Sequence, residues 1–356
     1  VSGAEYARRR RGSVTIMKLI IGGAYQGKKE YVRNKYHIEE ARIWQGGYPV
    51  PDGEWQCING LHNIIRQTLQ SNVYQESQQE ILAYVRGLIN KIPDIIIIAD
   101  EVGCGIVPME KGEREYRECA GRILCELAKE ADTVERVHCG IGQVIKQTVY
   151  ISLIRHGSTA GNLEGRYVGR TDELLCDKGR EELQERKGQG VYCVKESGVL
   201  PVEAVVTSPM RRCVETAKIL YPDITHVIIK EFTETDFGLF EGKNYEELMQ
   251  DKKLAPLYQA WIDGEGKTPF PEGESLEQMR RRCAAAFEKL LPMLARSRHT
   301  ALVVHGGTIM SIMSSFVTPK EEYYACQCAN AEGYLCRLEL TGNMALYQMR
   351  CILRIL

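Results

Sequence analysis

The stretch "TVYISLIRHGSTAGN", from Thr148 to Asn162, is an apolar strand that runs directly into Arg155, His156 and a glycine. An earlier stretch, "MKLIIGGAYQGKK" from Met17 to Lys29, has the same plan and ends in a glycine-rich turn. Such strands, alternating with amphipathic helices, are typical of open α/β sheets, which place ligands at the C-terminal ends of their strands. The sequence therefore predicts two α/β units, each with a site after its first strand.

The remaining elements follow the same alternation. "DIIIIAD" (Asp94–Asp100) is a continuous apolar run, which predicts a central parallel strand. "QQEILAYVRGLINKI" and "REYRECAGRILCELAKEA" predict flanking helices, and "TVERVHCG" a further strand. In the second unit we predict strands at "VEAVVTS", "THVIIK" and "TALVVHGG", and a long helix that begins with a capping box of Ser275 and Gln278. "GIGQVIKQ" predicts a linker, with the boundary near Ile145 to Thr148.

Composition narrows the class of protein. A chain of 356 residues exceeds the usual size of one core, so two domains are expected. The net charge of -1 argues against overall attraction to nucleic acid or to an anionic membrane. No run of 18 apolar residues predicts a membrane span. The 13 cysteines lack CxxC pairs and metal-ligand spacing to a histidine, which predicts reduced thiols, a cytoplasmic location and no zinc site.

A basic run, Arg8–Arg11, precedes Met17 in a segment without periodicity. It predicts a disordered extension over residues 1–16 or an upstream translation start. The alternative is an arm for nucleic acid or targeting, but no apolar signal-peptide core follows it.

Four stretches of the second unit carry residues that suit phosphate chemistry. Arg155 and His156 end one strand, Arg212 lies in the first turn of a helix, Glu234 lies in a loop, and His305 ends another strand. Arginine offers planar paired donors to phosphate oxygens. A neutral imidazole is a competent nucleophile, and a carboxyl group can protonate a leaving alcohol. Together they predict a phosphomonoester site.

In this combination the stretch from about Val149 to Leu340 resembles the histidine phosphatase, or phosphoglycerate mutase-like, superfamily. The resemblance implies a three-layer α/β/α domain over residues 149–350, with no metal in the phosphatase reaction. It implies His156 as the phospho-accepting nucleophile and Glu234 as the proton donor, and it excludes Arg211 in register. The phosphate pocket that it implies consists of Arg155, Arg212 and His305, with further contacts from Asn162, Gly306 and Arg166.

The acid-bearing segment bears on the choice between hydrolysis and mutase chemistry. Mutases of the family usually read "ERHYG" there and carry a longer insertion, whereas this chain reads "ETDFGLFEGK". A mutase must protect its phosphohistidine from water, and nothing in the sequence suggests an added lid. The sequence therefore favours hydrolysis.

The turn of the first unit almost matches a phosphate-binding loop. Gly22, Gly27 and Lys28 fit the spacing, and Gly23 is a further candidate to bind nucleotide, but position 29 holds a lysine where a hydroxyl residue that binds Mg²⁺ is expected. Such a loop presents backbone N–H groups and a helix N-terminus to phosphates. After the predicted buried strand, Asp100 and Glu101 are candidates to recover part of the metal binding.

The segment from Met17 to Lys146 resembles the adenosylcobinamide kinase/adenosylcobinamide-phosphate guanylyltransferase family, through "IIGGAYQGK" and "ADEVGCGIVP". The resemblance implies a P-loop-type parallel sheet over residues 17–146 that takes GTP or ATP with Mg²⁺. The family's histidine segment, which accepts the guanylyl group, has no recognisable counterpart. His37 and His62 are the possible substitutes, and guanylyl transfer stays open beside a kinase or a purely nucleotide-binding role.

Both resemblances involve the assembly of the cobalamin nucleotide loop. They imply hydrolysis of α-ribazole 5′-phosphate, or of a cobalamin phosphate precursor, as the leading prediction. One alternative is a general phosphatase for sugar phosphates or nucleotides, or a phosphoglycerate mutase-like enzyme. The other is a first unit that acts as a non-catalytic nucleotide-binding module controlling the second. The partners expected are a small phosphomonoester and a nucleotide, not nucleic acid.

Overall fold

A computed structural model describes residues 16–70, 78–92, 94–104, 106–192, 201–264, 268–342 and 346–356. The predicted extension lies outside these residues except for Ile16, which is buried. The described chain divides into two compact units. The first contains the residues up to Thr148 together with Leu340–Leu346, and the second contains Val149–Glu339 and Tyr347–Leu356.

The first unit alternates strands and helices. Its strands are β1 (Lys18–Gly22), β2 (Ile43–Trp44), β3 (Cys57–Asn59), β4 (Ile96–Asp100), β5 (Thr133–His138) and the beginning of β6 (Ile141–Arg155). Its helices are α1 (Lys28–Tyr36), α2 (Leu61–Gln70), α3 (Gln78–Lys91) and α4 (Lys111–Glu130), with a 3-10 turn at Glu40–Arg42.

The first five strands lie side by side in the order β2-β3-β4-β1-β5, and each pair is parallel. β4 is central, as its apolar run predicts, and Ile96, Ile97 and Ile98 are almost fully buried. Helices α2, α3 and α4 cover one face of this sheet. Their apolar stripes, which include Ile64 and Val85, pack into a single hydrophobic core. Parallel strands place β1 and β4 so that the turn after Gly22 lies beside Asp100.

The stretch that was predicted as a linker is part of a β-hairpin in the structure, so this prediction is wrong. All of its residues except Gly140 form the first part of β6, which pairs antiparallel with β5 through a register that runs from Thr133–Gln147 to His138–Ile141. Only two residues, Cys139 and Gly140, connect the strands, and both have positive φ, 49° and 79°. Such two-residue turns match the twist of a hairpin, so a tight hairpin replaces the linker.

The second unit begins with the remainder of β6. Its other strands are β7 (Ala204–Thr207), β8 (His226–Ile228), β9 (His299–Val304), β10 (Gly333–Thr341) and β11 (Leu346–Ile355). Its helices are α5 (Ala160–Leu163), α6 (Asp177–Gly188), α7 (Arg211–Leu220), α8 (Tyr245–Gln250), α9 (Leu254–Asp263), α10 (Leu276–Leu294) and α11 (Gly306–Phe316). Three 3-10 turns lie at Lys230–Phe232, Gly238–Phe240 and Tyr323–Cys326.

In this unit β6, β9, β7 and β8 are successive parallel neighbours. Every residue of β9 is buried, which fits a strand covered on both faces. Arg155 at the end of β6 aligns with Val304 at the end of β9, so the residues that follow both strands meet at one edge of the sheet. Candidate site residues from distant parts of the sequence are therefore brought together.

The long helix α10 begins as predicted. Ser275 accepts a hydrogen bond from the backbone N–H of Gln278 at 3.1 Å, and the Gln278 side chain accepts one from the N–H of Ser275 at 2.7 Å. This reciprocal capping satisfies two donors that a helix start leaves unpaired. No described helix combines the length and apolarity that crossing a bilayer requires.

Candidate active site

His156 lies directly after β6 and is buried, with 3% of its surface exposed. Its Nδ1 is 2.8 Å from the carbonyl oxygen of Gly157, so Nδ1 carries the proton and donates it. The lone pair is therefore on Nε2. Burial first, then the nearby Arg212 and Arg155, hold the pKa of His156 well below its usual value. The imidazole is thus neutral and nucleophilic at physiological pH.

The two predicted arginines are held by neutral groups. Arg212 is fully buried, and its guanidinium donates to the carbonyls of Val168 at 3.3 Å, Gly169 at 3.0 Å and Thr171 at 2.8 Å. Arg155 Nη1 donates to a loop carbonyl, that of Cys328, at 2.7 Å, while its buried Nε has no partner in the described chain. Within that part of the chain neither arginine has a carboxylate partner, so both positive charges remain available to an anion.

His305 directly follows β9 and is fully buried beside His156, with 5.1 Å between the ring centroids. Arg212 Nε donates to His305 Nδ1 at 3.3 Å, which leaves the proton on Nε2 to be donated to the Ser208 hydroxyl at 2.8 Å. Burial and then the charge of Arg212 hold the pKa of His305 well below its usual value. His305 is therefore a neutral imidazole that lines the pocket beside His156.

Glu234, in the segment after the Lys230–Phe232 turn, is directed toward the start of α11. Its Oε1 accepts from the backbone N–H of Thr235 at 2.9 Å, and its Oε2 lies 3.4 Å from the N–H of Gly307. A Cβ at Gly307 would lie 2.5 Å from Glu234 Oε1. The close approach of the carboxylate therefore requires a glycine at position 307.

The predicted contacts Asn162 and Gly306 also lie at this edge. Gly306 begins α11, where helix N–H groups lack partners within the helix, and a Cβ there would lie 3.5 Å from Arg155 Nε. Asn162 belongs to the capping box of α5, and its Oδ1 accepts from Asn330 Nδ2 at 3.1 Å.

Two further residues of the site were not predicted from the sequence. Asn330 Nδ2 also donates to the carbonyl of His156 at 3.0 Å, and the Ser208 hydroxyl accepts the hydrogen bond from His305 Nε2 at 2.8 Å. Ser208 directly follows β7, so its position after a parallel strand was a usable signal. Asn330 lies in a loop 174 positions beyond His156 and carried no such signal.

Arg166 is placed differently from the pocket residues. Its guanidinium forms ion pairs with Glu164 and Glu247, both at 2.6 Å, and donates to the carbonyl of Gly242 at 2.7 Å. Its charge is therefore compensated by two carboxylates. Arg211, which the family resemblance excluded, has an exposed side chain at the start of α7.

In the first unit the glycine-rich turn leads into α1, which begins at Lys28. Gly27 has a φ of 80°, and a Cβ at Gly22 would lie 2.4 Å from the carbonyl oxygen of Val137, so both positions require glycine. Gly23 contributes a carbonyl that accepts from Lys28 Nζ at 2.6 Å. Lys28 is 7% exposed and is directed back across the turn.

The charge of Lys28 is already compensated. Its Nζ lies 2.6 Å from Asp100 Oδ1, and Glu101 is likewise paired with Arg136 at 3.0 Å. Lys29 pairs with Glu40. Because position 29 has no hydroxyl and both acids have cationic partners, the donors of this arrangement do not fit the Mg²⁺ ion of a phosphate-binding loop. The described residues also contain no group of three or more metal-ligating side chains that would hold an ion.

The two candidate histidines of this unit differ. His62 Nδ1 accepts from the backbone N–H of Asp100 at 3.0 Å, and its Nε2 lies 3.4 Å from Asp100 Oδ2, so His62 lies beside the turn. Burial is the main cause that lowers its pKa. His37 is exposed at the other end of α1 with a φ of 54°.

Comparison with known proteins finds two families in the chain. The sequence model described as "Histidine phosphatase superfamily (branch 1)" matches residues 151–348, more than half of the 356 residues. The one described as "Cobinamide kinase / cobinamide phosphate guanyltransferase" matches residues 52–145. Both predicted domain types are confirmed, although the second match begins after the glycine-rich turn.

Individual relatives cover parts of the chain. A 2,3-bisphosphoglycerate-dependent phosphoglycerate mutase 2 from Gloeobacter violaceus is 30% identical over 45% of this chain and 72% of the mutase. The bifunctional protein Rv2228c of Mycobacterium tuberculosis is 29% identical over 53% of this chain and 46% of its own length, so this chain spans less than half of that relative. The solved α-ribazole phosphatase from Shigella flexneri is 23% identical, with a TM-score of 0.47, over 57% of this chain and 95% of that one.

Proposed function

The chain belongs to the histidine phosphatase superfamily and is an enzyme of that family, and we propose that its second unit hydrolyses phosphomonoesters through a phosphohistidine on His156. The observation that carries this proposal is the hydrogen bond from Nδ1 to the Gly157 carbonyl at 2.8 Å. It leaves the lone pair of Nε2 available beside two arginines that have no carboxylate partner among the residues that the structure describes. A neutral nucleophile next to uncompensated cations suits attack on a phosphate dianion.

In the first step Nε2 of His156 attacks phosphorus while the bond from phosphorus to the substrate oxygen breaks. Glu234 gives its proton to the departing oxygen, which leaves as an alcohol, and Arg155 and Arg212 hold the transferred oxygens. In the second step water attacks phosphorus, Glu234 takes a proton from it, and the bond to Nε2 breaks. Inorganic phosphate is released, and the histidine and the carboxylic acid are restored.

The covalent step is tested by trapping. Brief incubation with a ³²P-labelled substrate and an acid-free quench should label the protein, and the label should be stable in alkali and labile in acid. His156→Ala should lose the label and lower turnover by about 10⁴-fold or more. Retained turnover in His156→Ala would exclude the covalent mechanism.

For the substrate we propose α-ribazole 5′-phosphate or a cobalamin phosphate precursor. The support is the presence, in one chain, of a match to the cobinamide kinase and guanyltransferase family beside the phosphatase. We expect kcat/KM for α-ribazole 5′-phosphate to exceed that for ribose 5-phosphate, GMP and 3-phosphoglycerate by at least about tenfold. Equal or lower kcat/KM for α-ribazole 5′-phosphate would identify a general phosphatase instead.

A mutase is the second candidate, because the Gloeobacter violaceus relative with 30% identity carries that name. The two functions differ in the fate of the phosphohistidine. With 3-phosphoglycerate and catalytic 2,3-bisphosphoglycerate, a mutase forms 2-phosphoglycerate, whereas a phosphatase forms glycerate and inorganic phosphate. We expect phosphate release to exceed isomerisation.

For the first unit we propose that the turn from Gly22 to Lys28 holds the phosphates of a nucleotide. The support is the helix N-terminus at Lys28 and the glycines at positions 22 and 27, which allow the turn before it to pack against the backbone of Val137 and Gly140. GTP and then ATP should be titrated into the full chain by calorimetry, with and without Mg²⁺, beside Lys28→Ala. Since the donors do not fit the metal, we expect binding that is lost in Lys28→Ala and does not require Mg²⁺; no heat would identify a turn without this role.

A further inference from the structure

The segment that carries Glu234 is held by one side chain of α10. Arg282 Nη1 donates to the carbonyls of Glu231 at 2.6 Å and Thr233 at 2.9 Å, and its Nη2 donates to the carbonyl of Glu234 itself at 3.0 Å. Three carbonyls within four residues thus converge on a single guanidinium. An arginine is suited to this because its donors are fixed in one plane.

A carboxylate fixes the guanidinium in turn. Glu274 accepts from Arg282 Nε at 3.0 Å and from its Nη2 at 2.5 Å. The same Glu274 accepts from the backbone N–H of Asp236 at 3.1 Å and donates its own N–H to the Asp236 carbonyl at 3.0 Å. Residues on both sides of Glu234 are therefore bound to one ion pair, in which Arg282 and Glu274 are 25% and 17% exposed.

The side chain of Glu234 has a weaker hold of its own. Its Oε1 accepts from the N–H and the hydroxyl of the adjacent Thr235, at 2.9 Å and 3.3 Å, and the contact from its Oε2 to the Gly307 N–H is long at 3.4 Å. The position of the carboxyl group is thus set mainly by the path of its backbone. A general acid must lie within hydrogen-bond reach of the leaving oxygen, and displacement of about 1 Å is enough to reduce its contribution.

We propose that Arg282, fixed by Glu274, is a positioning residue that holds Glu234 at the leaving oxygen and thereby determines which alcohols this enzyme can release. This inference rests on the proposed function, in which Glu234 is the acid. It predicts a dependence on the leaving group. Loss of Arg282 impairs the release of alcohols that need a proton, but not the release of groups that leave as stable anions.

The test compares two substrates with the full-length protein. Ribose 5-phosphate releases an alkyl alcohol that requires protonation, whereas 2,4-dinitrophenyl phosphate releases a phenolate that does not. For Arg282→Met we expect kcat/KM to fall about 50-fold with ribose 5-phosphate, within the range of general acid catalysis, and about threefold or less with 2,4-dinitrophenyl phosphate. Arg281→Met is the matched control, because Arg281 directly precedes Arg282 in α10 and is 78% exposed. We expect it to leave both values unchanged within about twofold.

A uniform loss with both substrates would overturn the proposal, because a general disturbance of the pocket affects every substrate. If Arg282→Met does not fold, Arg282→Lys decides the question. Lysine keeps the charge but not the planar set of donors, and about a tenfold loss confined to ribose 5-phosphate is expected. Wild-type behaviour of Arg282→Lys, or an equal loss with both substrates, would also overturn it.

Glu234→Gln, measured in parallel, separates the two proposals. Glu234→Gln could lower kcat/KM selectively with ribose 5-phosphate while the Arg282 variants do not. In that case Glu234 is the acid, but Arg282 does not position it. If Glu234→Gln lowers kcat/KM equally with both substrates, Glu234 is not the acid. The proposed role of Arg282 is then wrong as well.

Discussion

Both units place cations after a parallel strand, but they hold them in different ways. In the second unit Arg155 and Arg212 are bound by backbone carbonyls and by His305, all of them neutral. In the first unit Lys28 lies 2.6 Å from Asp100, a carboxylate. A neutral partner fixes the geometry of a cation and leaves its charge to a ligand, whereas an acidic partner compensates that charge.

The difference shows that a basic residue at the correct spacing is not yet an anion site. What decides its use is the partner that it has before the ligand arrives. By this criterion the pocket around His156 is ready for a phosphate, while the turn before α1 must first lose, or share, the Lys28–Asp100 ion pair. The predictions below test that distinction.

The largest effect is expected at Arg212. Arg212→Met should lower kcat/KM by about 10³-fold, because it removes a buried positive charge that we propose binds the phosphate. It also leaves the buried carbonyls of Val168 and Gly169 without this donor, so the free energy of unfolding should fall by about 3 kcal/mol. Phosphate release and denaturant unfolding measure the two effects. The exposed neighbour Arg211→Met is the control, and a comparable loss there would contradict the special role of Arg212.

The neutral histidines predict the pH dependence of stability. Because burial lowers the pKa values of His156 and His305 in the folded protein, the unfolded chain binds protons first as the pH falls below about 6.5. Stability is therefore fully present above pH 6.5 and decreases below it, by up to about 1.4 kcal/mol per pH unit for each histidine. Denaturant unfolding between pH 7 and pH 5 should show this slope, and His156→Asn should reduce it. An unchanged slope would mean that His156 is protonated in the folded protein.

A smaller effect is expected at Asp100. Asp100→Asn leaves the charge of Lys28 uncompensated, so affinity for GTP should rise by roughly tenfold, or about 1.4 kcal/mol. Calorimetry on the full chain measures it, and the double variant Lys28→Met/Asp100→Asn shows whether the gain arises at the turn. Tighter binding that persists in the double variant would place the nucleotide elsewhere.

The smallest effect is expected at Lys29. Lys29→Ser removes the ion pair between Lys29 and Glu40. Because both side chains of this pair are partly exposed, the melting temperature should change less than in Asp100→Asn. The new hydroxyl supplies one missing ligand, but Asp100 remains paired with Lys28. We therefore expect no Mg²⁺-dependent gain in GTP affinity by calorimetry from this change alone. A gain would show that position 29 by itself prevents metal binding.

The sequence indicated the parts of the site that depend on local patterns. Arg155, His156 and His305 follow strands whose apolar runs are unmistakable, and the capping box of α10 is a four-residue signal. The hairpin between β5 and β6 was missed because Cys139–Gly140 lacks the Asn-Gly or Asp-Gly signature of a two-residue turn. The sequence also could not show that Asp100 is the ion-pair partner of Lys28. The two residues are 72 positions apart, and only the pairing of β1 with β4 brings them together.

In the proposed reaction, the hydrogen bond from His156 Nδ1 to the Gly157 carbonyl also determines which isomer of phosphohistidine forms. Only Nε2 has a lone pair for phosphorus, so we expect the intermediate of that reaction to be the τ-phosphohistidine and not the π isomer. The two isomers differ in their ³¹P chemical shifts and in the antibodies that bind them, so the tautomer of one buried ring can be identified in the intact, labelled protein. Phosphate on the π nitrogen would mean that the imidazole ring flips during the reaction and loses its hydrogen bond to the Gly157 carbonyl.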